Sequence, residues 1–158
     1  MASCIFPSLG QQLPLLGVGP YSEGKLKGCL QNEFAAGWFA EELREVCTQG
    51  MAVCSAILFY FRTANRAFGV CVHYDGNDEV LNKMLESLSA QFAIDMNAFK
   101  AAASVSIAVW PTGGLAQTGK AAYHWLQGQS FQGPYTWYSH NGSAALNSDG
   151  LVYDQFRE

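Results

Sequence analysis

Two adjacent apolar segments constrain the fold of this chain more than any other feature. AVCSAILFYF at 52–61 and AFGVCVHY at 67–74 are rich in Val, Ile, Phe and Tyr, and the short stretch TANR at 63–66 separates them. Aromatic and β-branched residues favour strands, and a short break between two such runs favours a hairpin. Because both runs are apolar almost throughout, the pattern predicts a central hairpin that is buried on both faces.

Further helices and strands are expected around this hairpin. Leucine, methionine and phenylalanine recur at helical spacing from Leu81 to Phe92, which predicts an amphipathic helix over 79–92. A similar pattern predicts a helix over 33–46, with Asn32 as its N-cap, and another predicts a helix over 118–127. Short apolar runs predict strands that include VSIAVW at 105–110 and YTWYS at 135–139, and hairpin-like returns follow the latter.

These elements indicate the α+β class, with a mixed, mostly antiparallel sheet or sandwich and helices packed outside it. The length of 158 residues suits a single domain over 1–158. Residues 1–31 are rich in Gly, Pro and Gln, so we expect a loop-rich N-terminal segment with one short strand.

Charge and cysteine content narrow the function classes. The net charge is −4 without a Lys/Arg cluster, which argues against a nucleic-acid partner. No apolar run approaches the roughly 18–20 residues that span a bilayer, so no membrane partner is expected. The five cysteines form no CxxC pair, which favours free thiols in a reducing, cytoplasmic compartment and argues against a metal site. No phosphate-binding loop or other cofactor motif is present, and no cofactor is predicted.

The hairpin brings a cysteine and one of the three histidines close together. A turn centred between Ala64 and Asn65 sets His73 opposite Ala56 and makes it a diagonal neighbour of Cys54. A turn centred one residue earlier sets His73 directly opposite Cys54. Facing Cβ atoms lie about 4.5–5.5 Å apart and diagonal ones about 7–8 Å, so either register brings thiol and imidazole within reach.

A neighbouring imidazole activates a thiol, because it accepts the proton during attack and later protonates a leaving group. Thr48, six positions before Cys54, can supply either its hydroxyl or its carbonyl to orient the ring. Both residues also have a structural interpretation, since free cysteine is often buried and a strand-end histidine often bonds a carbonyl. Cys71, two positions before His73 on the same strand face, is the competing nucleophile, although core packing is its expected role.

The segment TQGMAVC at 48–54 resembles the Thr-x-Gly-x-small-x-Cys segment of the chemotaxis receptor glutamine deamidases (CheD), whose next strand pair ends in a histidine. A similar cysteine and histidine arrangement occurs in the catalytic domains of the cytotoxic necrotizing factors and of Burkholderia lethal factor. PTGGL at 111–115 and TWYSHNGSAALNSDGLVYDQ at 136–155 extend the resemblance, which covers a core of 46–156 in order of elements.

The resemblance implies a cysteine-dependent protein glutamine deamidase that converts glutamine to glutamate and releases ammonia. It makes Cys54 the nucleophile, His73 the base and Thr48 the orienting residue of a catalytic triad. The partner would be a protein that presents a glutamine side chain. Met51-Ala52-Val53 departs from both families. The chain is thus expected to be a divergent member, and the analogy with the toxins implies a bacterial effector or toxin acting on a host protein, delivered by a secretion system, more than a chemotaxis enzyme.

Two further residues are candidates for substrate binding, His140 and Trp137. His140 also fits a surface turn, which the sequence favours, and Trp137 also fits the core. Two other functions remain open. The scaffold could serve a non-enzymatic interaction or adaptor protein, or the cysteine could act on another amide or transfer an amine, as a transglutaminase does.

Overall fold

The computed structural model describes residues 6–7, 12–113 and 115–155, which form two packed β-sheets and an outer layer of helices. In chain order the elements are β1 (Leu26–Cys29), β2 (Phe34–Trp38), β3 (Glu45–Thr48), β4 (Ser55–Arg62), β5 (Ala67–Tyr74), α1 (Glu79–Phe92), α2 (Met96–Ala102), β6 (Ser104–Val109), a π-helical turn (Leu115–Gly119), α3 (Lys120–Gly128), β7 (Tyr135–Ser139), β8 (Ala144–Asn147) and β9 (Val152–Tyr153).

The strands form a five-stranded sheet in the order β2-β5-β4-β6-β7 and a four-stranded sheet in the order β1-β3-β8-β9. Only β1–β3 and β6–β7 pair in parallel among the described strands, and the other neighbours are antiparallel. The predicted class is therefore confirmed: the protein is α+β, with mixed, mostly antiparallel sheets in a sandwich and flanking helices.

The central hairpin β4–β5 is buried on both faces, as its continuous apolar pattern predicts. Ile57 and Phe59 face the helices, where they pack in the larger core cluster with residues of α1, α2 and α3. Ala56 and Leu58 alternate with them and face the four-stranded sheet. The space beside Gly69 is filled, because a Cβ added there would lie 2.4 Å from the ring of Phe39 and 3.3 Å from the side chain of Leu146 in the other sheet.

The helix predicted over 33–46 is wrong. This stretch forms β2 and β3 instead, in different sheets, and Asn32 adopts a left-handed turn conformation with φ of 61° before β2. The side chains of β2 alternate between the two cores, with Ala36 toward the helices and Ala35 toward the other sheet. Pairing of β2 with the buried strand β5 overrides the weak helical pattern, because tertiary packing outweighs local propensity.

The remaining elements follow the predicted pattern with three differences. The helix over 79–92 and the strand YTWYS are confirmed. The strand predicted at 105–110 begins and ends one residue earlier. The helix predicted over 118–127 begins at Lys120 after the π-helical turn, and α2 was not predicted.

An N-terminal segment ties the two sheets together. Leu15 forms a parallel bridge to Ser139 at the end of β7, and Val18 forms one to Asp154 beyond β9. The backbone N–H of Leu16 donates to the carbonyl of Ser139 at 3.0 Å. The segment thus spans from one layer of the sandwich to the other.

Candidate active site

One end of the sandwich collects the predicted site residues from both sheets. Thr48 ends β3 in the four-stranded sheet, and His73 lies near the end of β5 in the five-stranded sheet. Cys54 immediately precedes β4, and His140 immediately follows β7. Because β4 is antiparallel to both β5 and β6, its first residues lie beside the last residues of those strands.

The hydroxyl of Thr48 contacts the ring of His73. Its Oγ1 lies 2.8 Å from Nδ1 of His73 and 2.8 Å from the carbonyl oxygen of Cys29. The carbonyl only accepts, so the single hydroxyl proton goes to it, and Nδ1–H of His73 donates to the hydroxyl. The neutral ring therefore carries its proton on Nδ1 and leaves Nε2 with a free lone pair.

That Nε2 atom is buried and has no hydrogen-bond partner among the residues that the structure describes. His73 is only 2% exposed, so water does not cover the ring freely. Buried polar atoms are paired in the great majority of cases, so each exception calls for an explanation, and a catalytic role is one of them. Nε2 of His73 is thus an unoccupied base held in a fixed orientation.

The hairpin adopts the register in which His73 faces Ala56. Continuing the ladder by one pair beyond Ser55 and Tyr74 sets Cys54 opposite Asp75. Cys54 and Ala56 belong to the same core cluster, so Cys54 shares the face of His73 and is its diagonal neighbour. The structure shows no hydrogen bond between the Cys54 thiol and His73.

Side chains from elsewhere in the fold hold the backbone around Cys54. The hydroxyl of Thr118, in the π-helical turn, donates to the carbonyl of Val53 at 3.2 Å and pairs with the hydroxyl of Ser55. Nε2 of His140 lies 2.7 Å from the carbonyl oxygen of Cys54. Three consecutive residues are therefore fixed although they precede or only begin β4.

His140 is fully buried, so the expectation of a surface turn residue is wrong. Its Nδ1 accepts the backbone N–H of Gly142 at 3.1 Å. An atom that accepts an N–H carries no proton, so the neutral ring is protonated on Nε2 and donates to Cys54. The two buried histidines thus hold opposite tautomers, and sequence reasoning missed the contact of His140 with the candidate nucleophile.

The electrostatics favour neutral partners. Burial raises the pKa of the Cys54 thiol above its ordinary value of 9.0, and the charge of Asp75 raises it further. Burial lowers the pKa of His73 below its ordinary value of 6.5, and the nearby His140 lowers it further. Near neutral pH the site therefore holds a thiol and a neutral imidazole, and no preformed ion pair.

Asp75 is an anion that the sequence did not single out. Burial raises its pKa, but hydrogen bonds from Gln31, from the backbone of Asn77 and from Asn32 outweigh burial and hold the pKa below its ordinary value. Nδ2 of Asn32 donates to Oδ2 of Asp75 at 2.8 Å. The charge beside the hairpin is thus permanent near neutral pH.

Cys71 packs in the core, as expected, and does not compete as the nucleophile. It is fully buried, and its pKa lies well above the ordinary value because of its contact with the Cys29 thiol and its burial. Cys54 is also buried but less completely, with 9% of its surface exposed. All four cysteines that the structure describes are free, and Cys4 lies outside the described residues.

A cleft of about 1070 Å³ opens on the far side of Trp110 from these residues, and its lining includes none of Thr48, Cys54, His73 and His140. Trp110, the first residue after β6, lines the cleft, and its ring lies 5.7 Å from that of His140. The described lining residues include Leu13, Leu115 and Ser139, and none of them carries a charge. Trp137 lies in the core between the five-stranded sheet and the helices, away from this lining.

The Gly-Gly turn of the resemblance falls partly within the structure. Gly113 adopts a positive φ of 90° after β6, as a turn residue does, and Gly114 lies outside the described residues. Among the described residues, no group of three His, Cys, Asp or Glu side chains is placed to hold a metal ion. No helix in the described part of the chain is long and apolar enough to cross a membrane.

Neither a scan against protein-family models nor a search of curated proteins found a match to this sequence.

Proposed function

We propose that the protein is a cysteine-dependent glutamine deamidase in which Cys54 attacks, His73 transfers protons and Thr48 orients His73. The observation that carries the proposal is the buried, unpaired Nε2 of His73. The hydroxyl of Thr48 fixes the tautomer that leaves this atom basic, and Cys54 lies on the same strand face. A base, an orienting group and a thiol are the parts that nucleophilic acyl transfer requires.

The proposed reaction has two halves. Nε2 of His73 accepts the thiol proton as the Cys54 sulfur attacks the side-chain carbonyl of glutamine. The resulting imidazolium then protonates the amide nitrogen, which leaves as ammonia and forms a thioester. Water, deprotonated by His73, cleaves the thioester and restores the thiol and a glutamate side chain.

The neutral state of the two side chains supports proton transfer during attack. A thiol with a raised pKa and an imidazole with a lowered pKa remain uncharged together near neutral pH. The proton then moves only when the sulfur bonds to carbon, which is general-base catalysis. The oxyanion of the intermediate requires N–H donors, and the backbone N–H of Cys54 is the natural candidate.

The cleft beside Trp110 suits a glutamine whose neighbouring backbone groups carry no charge. Its described lining has no charged side chain, and its volume exceeds that of a single glutamine. A glutamine within a polypeptide therefore fits the proposal better than the free, charged amino acid. Action as a bacterial effector on a host protein stays a prediction of the resemblance.

The test measures ammonia release from casein and from a capped glutamine dipeptide, together with iodoacetamide labelling of each cysteine. We expect release that Cys54→Ser and His73→Ala both abolish, and labelling of Cys54 that His73→Ala slows. Cys47→Ala is the matched control, because Cys47 packs on the outer face of the four-stranded sheet with Tyr153. Undiminished ammonia release in either site variant, or no release together with equal labelling of all cysteines, contradicts the proposal.

A further inference from the structure

His140 is fully buried and contacts the backbone carbonyl of Cys54, the candidate nucleophile. It takes no part in the hydrogen bond between Thr48 and His73. We propose that His140 is a positioning residue, which fixes the segment 51–54 so that the thiol of Cys54 faces His73. This inference rests on the proposed function for its effect on turnover, and on the geometry alone for its effect on the thiol.

The segment 51–54 is tied at both ends to the turn that begins at His140. At one end the backbone N–H of Met51 donates to the carbonyl of Gly142 at 2.9 Å. At the other end Nε2–H of His140 donates to the carbonyl of Cys54 at 2.7 Å. The turn formed by residues 140–142 thus acts as a template for the segment that carries the nucleophile and its candidate oxyanion donor.

The two contacts of the His140 ring depend on each other. Nδ1 accepts the N–H of Gly142, which fixes the turn, and this acceptance forces the proton onto Nε2, which then donates to Cys54. The ring also packs against Trp110, with 5.7 Å between ring centroids. Histidine alone among the neutral side chains offers one acceptor and one donor on opposite sides of a rigid ring.

Fixing the carbonyl of Cys54 matters because Cys54 precedes β4 and lies outside the β4–β5 ladder. Without the His140 contact, the ladder first fixes the chain at Ser55, one residue after the thiol. Misplacing a reacting group by about 1 Å can reduce a rate by about 10²-fold. A positioning residue of this kind lowers kcat without changing how tightly substrate binds.

Two substitutions separate the contacts of the ring. His140→Asn keeps an acceptor near the position of Nδ1 for Gly142 but is too short to reach Cys54. His140→Gln keeps a donor near the position of Nε2 for Cys54. We expect His140→Asn to lose about 10²-fold in kcat with KM unchanged, and His140→Gln to recover most of that loss. If the losses in kcat follow the losses in thermal stability, and do not depend on whether a donor to the carbonyl of Cys54 is present, the proposal is overturned.

A second experiment does not depend on the substrate. We expect His73→Ala alone to slow alkylation of Cys54 by iodoacetamide relative to the wild type. In the His140→Asn background the same substitution should have no effect, because the thiol then no longer faces the ring of His73. An equal slowing in both backgrounds, or none in the wild type, overturns the positioning role. Coupling without any ammonia release removes the deamidase proposal but preserves the positioning role.

The wild-type protein supplies a measurement that survives an unstable variant. Nitrogen-15 NMR of the histidine rings distinguishes the tautomers directly. We expect the proton on Nε2 of His140 and on Nδ1 of His73. A proton on Nδ1 of His140 overturns the proposal, because that ring cannot accept from Gly142 and donate to Cys54.

Discussion

Replacing Thr48 by valine tests the orienting contact most directly. Valine has nearly the shape of threonine but lacks the hydroxyl, so no large cavity forms. Thr48 is 1% exposed, and its hydroxyl joins the carbonyl of Cys29 to Nδ1 of His73 over 2.8 Å on each side. The substitution removes both hydrogen bonds and leaves two buried groups to find other partners.

The expected cost in stability follows from those two groups. A buried polar group that loses its partner costs about 1–3 kcal/mol. The imidazole can relieve part of this cost by moving its proton from Nδ1 to Nε2, whereas the carbonyl of Cys29 cannot change. We therefore expect a loss of about 2 kcal/mol, which lowers Tm by about 4–8 °C in a domain of this size.

The expected cost in activity is larger, because the same proton shift occupies the proposed base. Once Nε2 carries the proton, it cannot accept another from the thiol of Cys54. In a serine protease triad the wrong histidine tautomer reduces kcat by about 10⁴-fold. A hydroxyl orients less strongly than a carboxylate, so we expect a loss of about 10²-fold in ammonia release.

The assay compares Thr48→Val with Thr48→Ser by circular dichroism melting and by ammonia release. Serine keeps the hydroxyl and loses one buried methyl group, which costs about 1 kcal/mol. We expect Thr48→Ser to retain activity within several-fold. If Thr48→Val turns over as fast as the wild type, the hydroxyl does not set the tautomer and the reasoning is refuted.

Two further predictions concern stability. Burial is the main cause that lowers the pKa of both His73 and His140 below 6.5, so the unfolded chain binds more protons than the folded protein at acid pH. The free energy of unfolding should therefore fall as the pH drops below about 6.5. Urea unfolding at pH 7.5 and at pH 5.0 measures this fall, and His140→Gln should make it smaller. Gly69→Ala should cost about 1–3 kcal/mol, because the added Cβ would lie 2.4 Å from the ring of Phe39. A melting temperature equal to that of the wild type would show that this ring moves aside at no cost and would contradict the prediction.

The sequence predicted the fold class because its strongest signals lie in the central layer. Two-sided burial of the hairpin follows from the continuous apolar runs, and α1 follows from its helical spacing. The stretch 33–46 was misread because β2 alternates between two cores that only tertiary pairing creates. The sequence signal for α2 is Asp95 directly before it, whose side chain accepts the N–H of Asn97 and of Ala98, as an N-cap does.

The site was predictable only where it follows from the hairpin. Thr48, Cys54 and His73 lie within one segment of the chain, so spacing and the resemblance single them out as candidates. His140 was assigned to the surface because Asn141-Gly142 signals a turn, and turns are mostly exposed. Its role depends on a contact with a main-chain carbonyl 86 positions away, which no side-chain pattern records. The presence of one of only three histidines directly after a strand was the available hint.

The hydrogen bond between Thr48 and His73 joins residues of opposite layers of the sandwich. Alanine and cysteine side chains at Ala56, Cys71 and Ala144 line the gap below it, which lets the layers approach closely. If one layer slid past the other by even a fraction of a strand spacing, Thr48 and His73 would separate while most of the backbone ladders stayed intact. Heat, pressure or mild denaturant should therefore break the hydrogen bond between Thr48 and His73 before the melting transition begins.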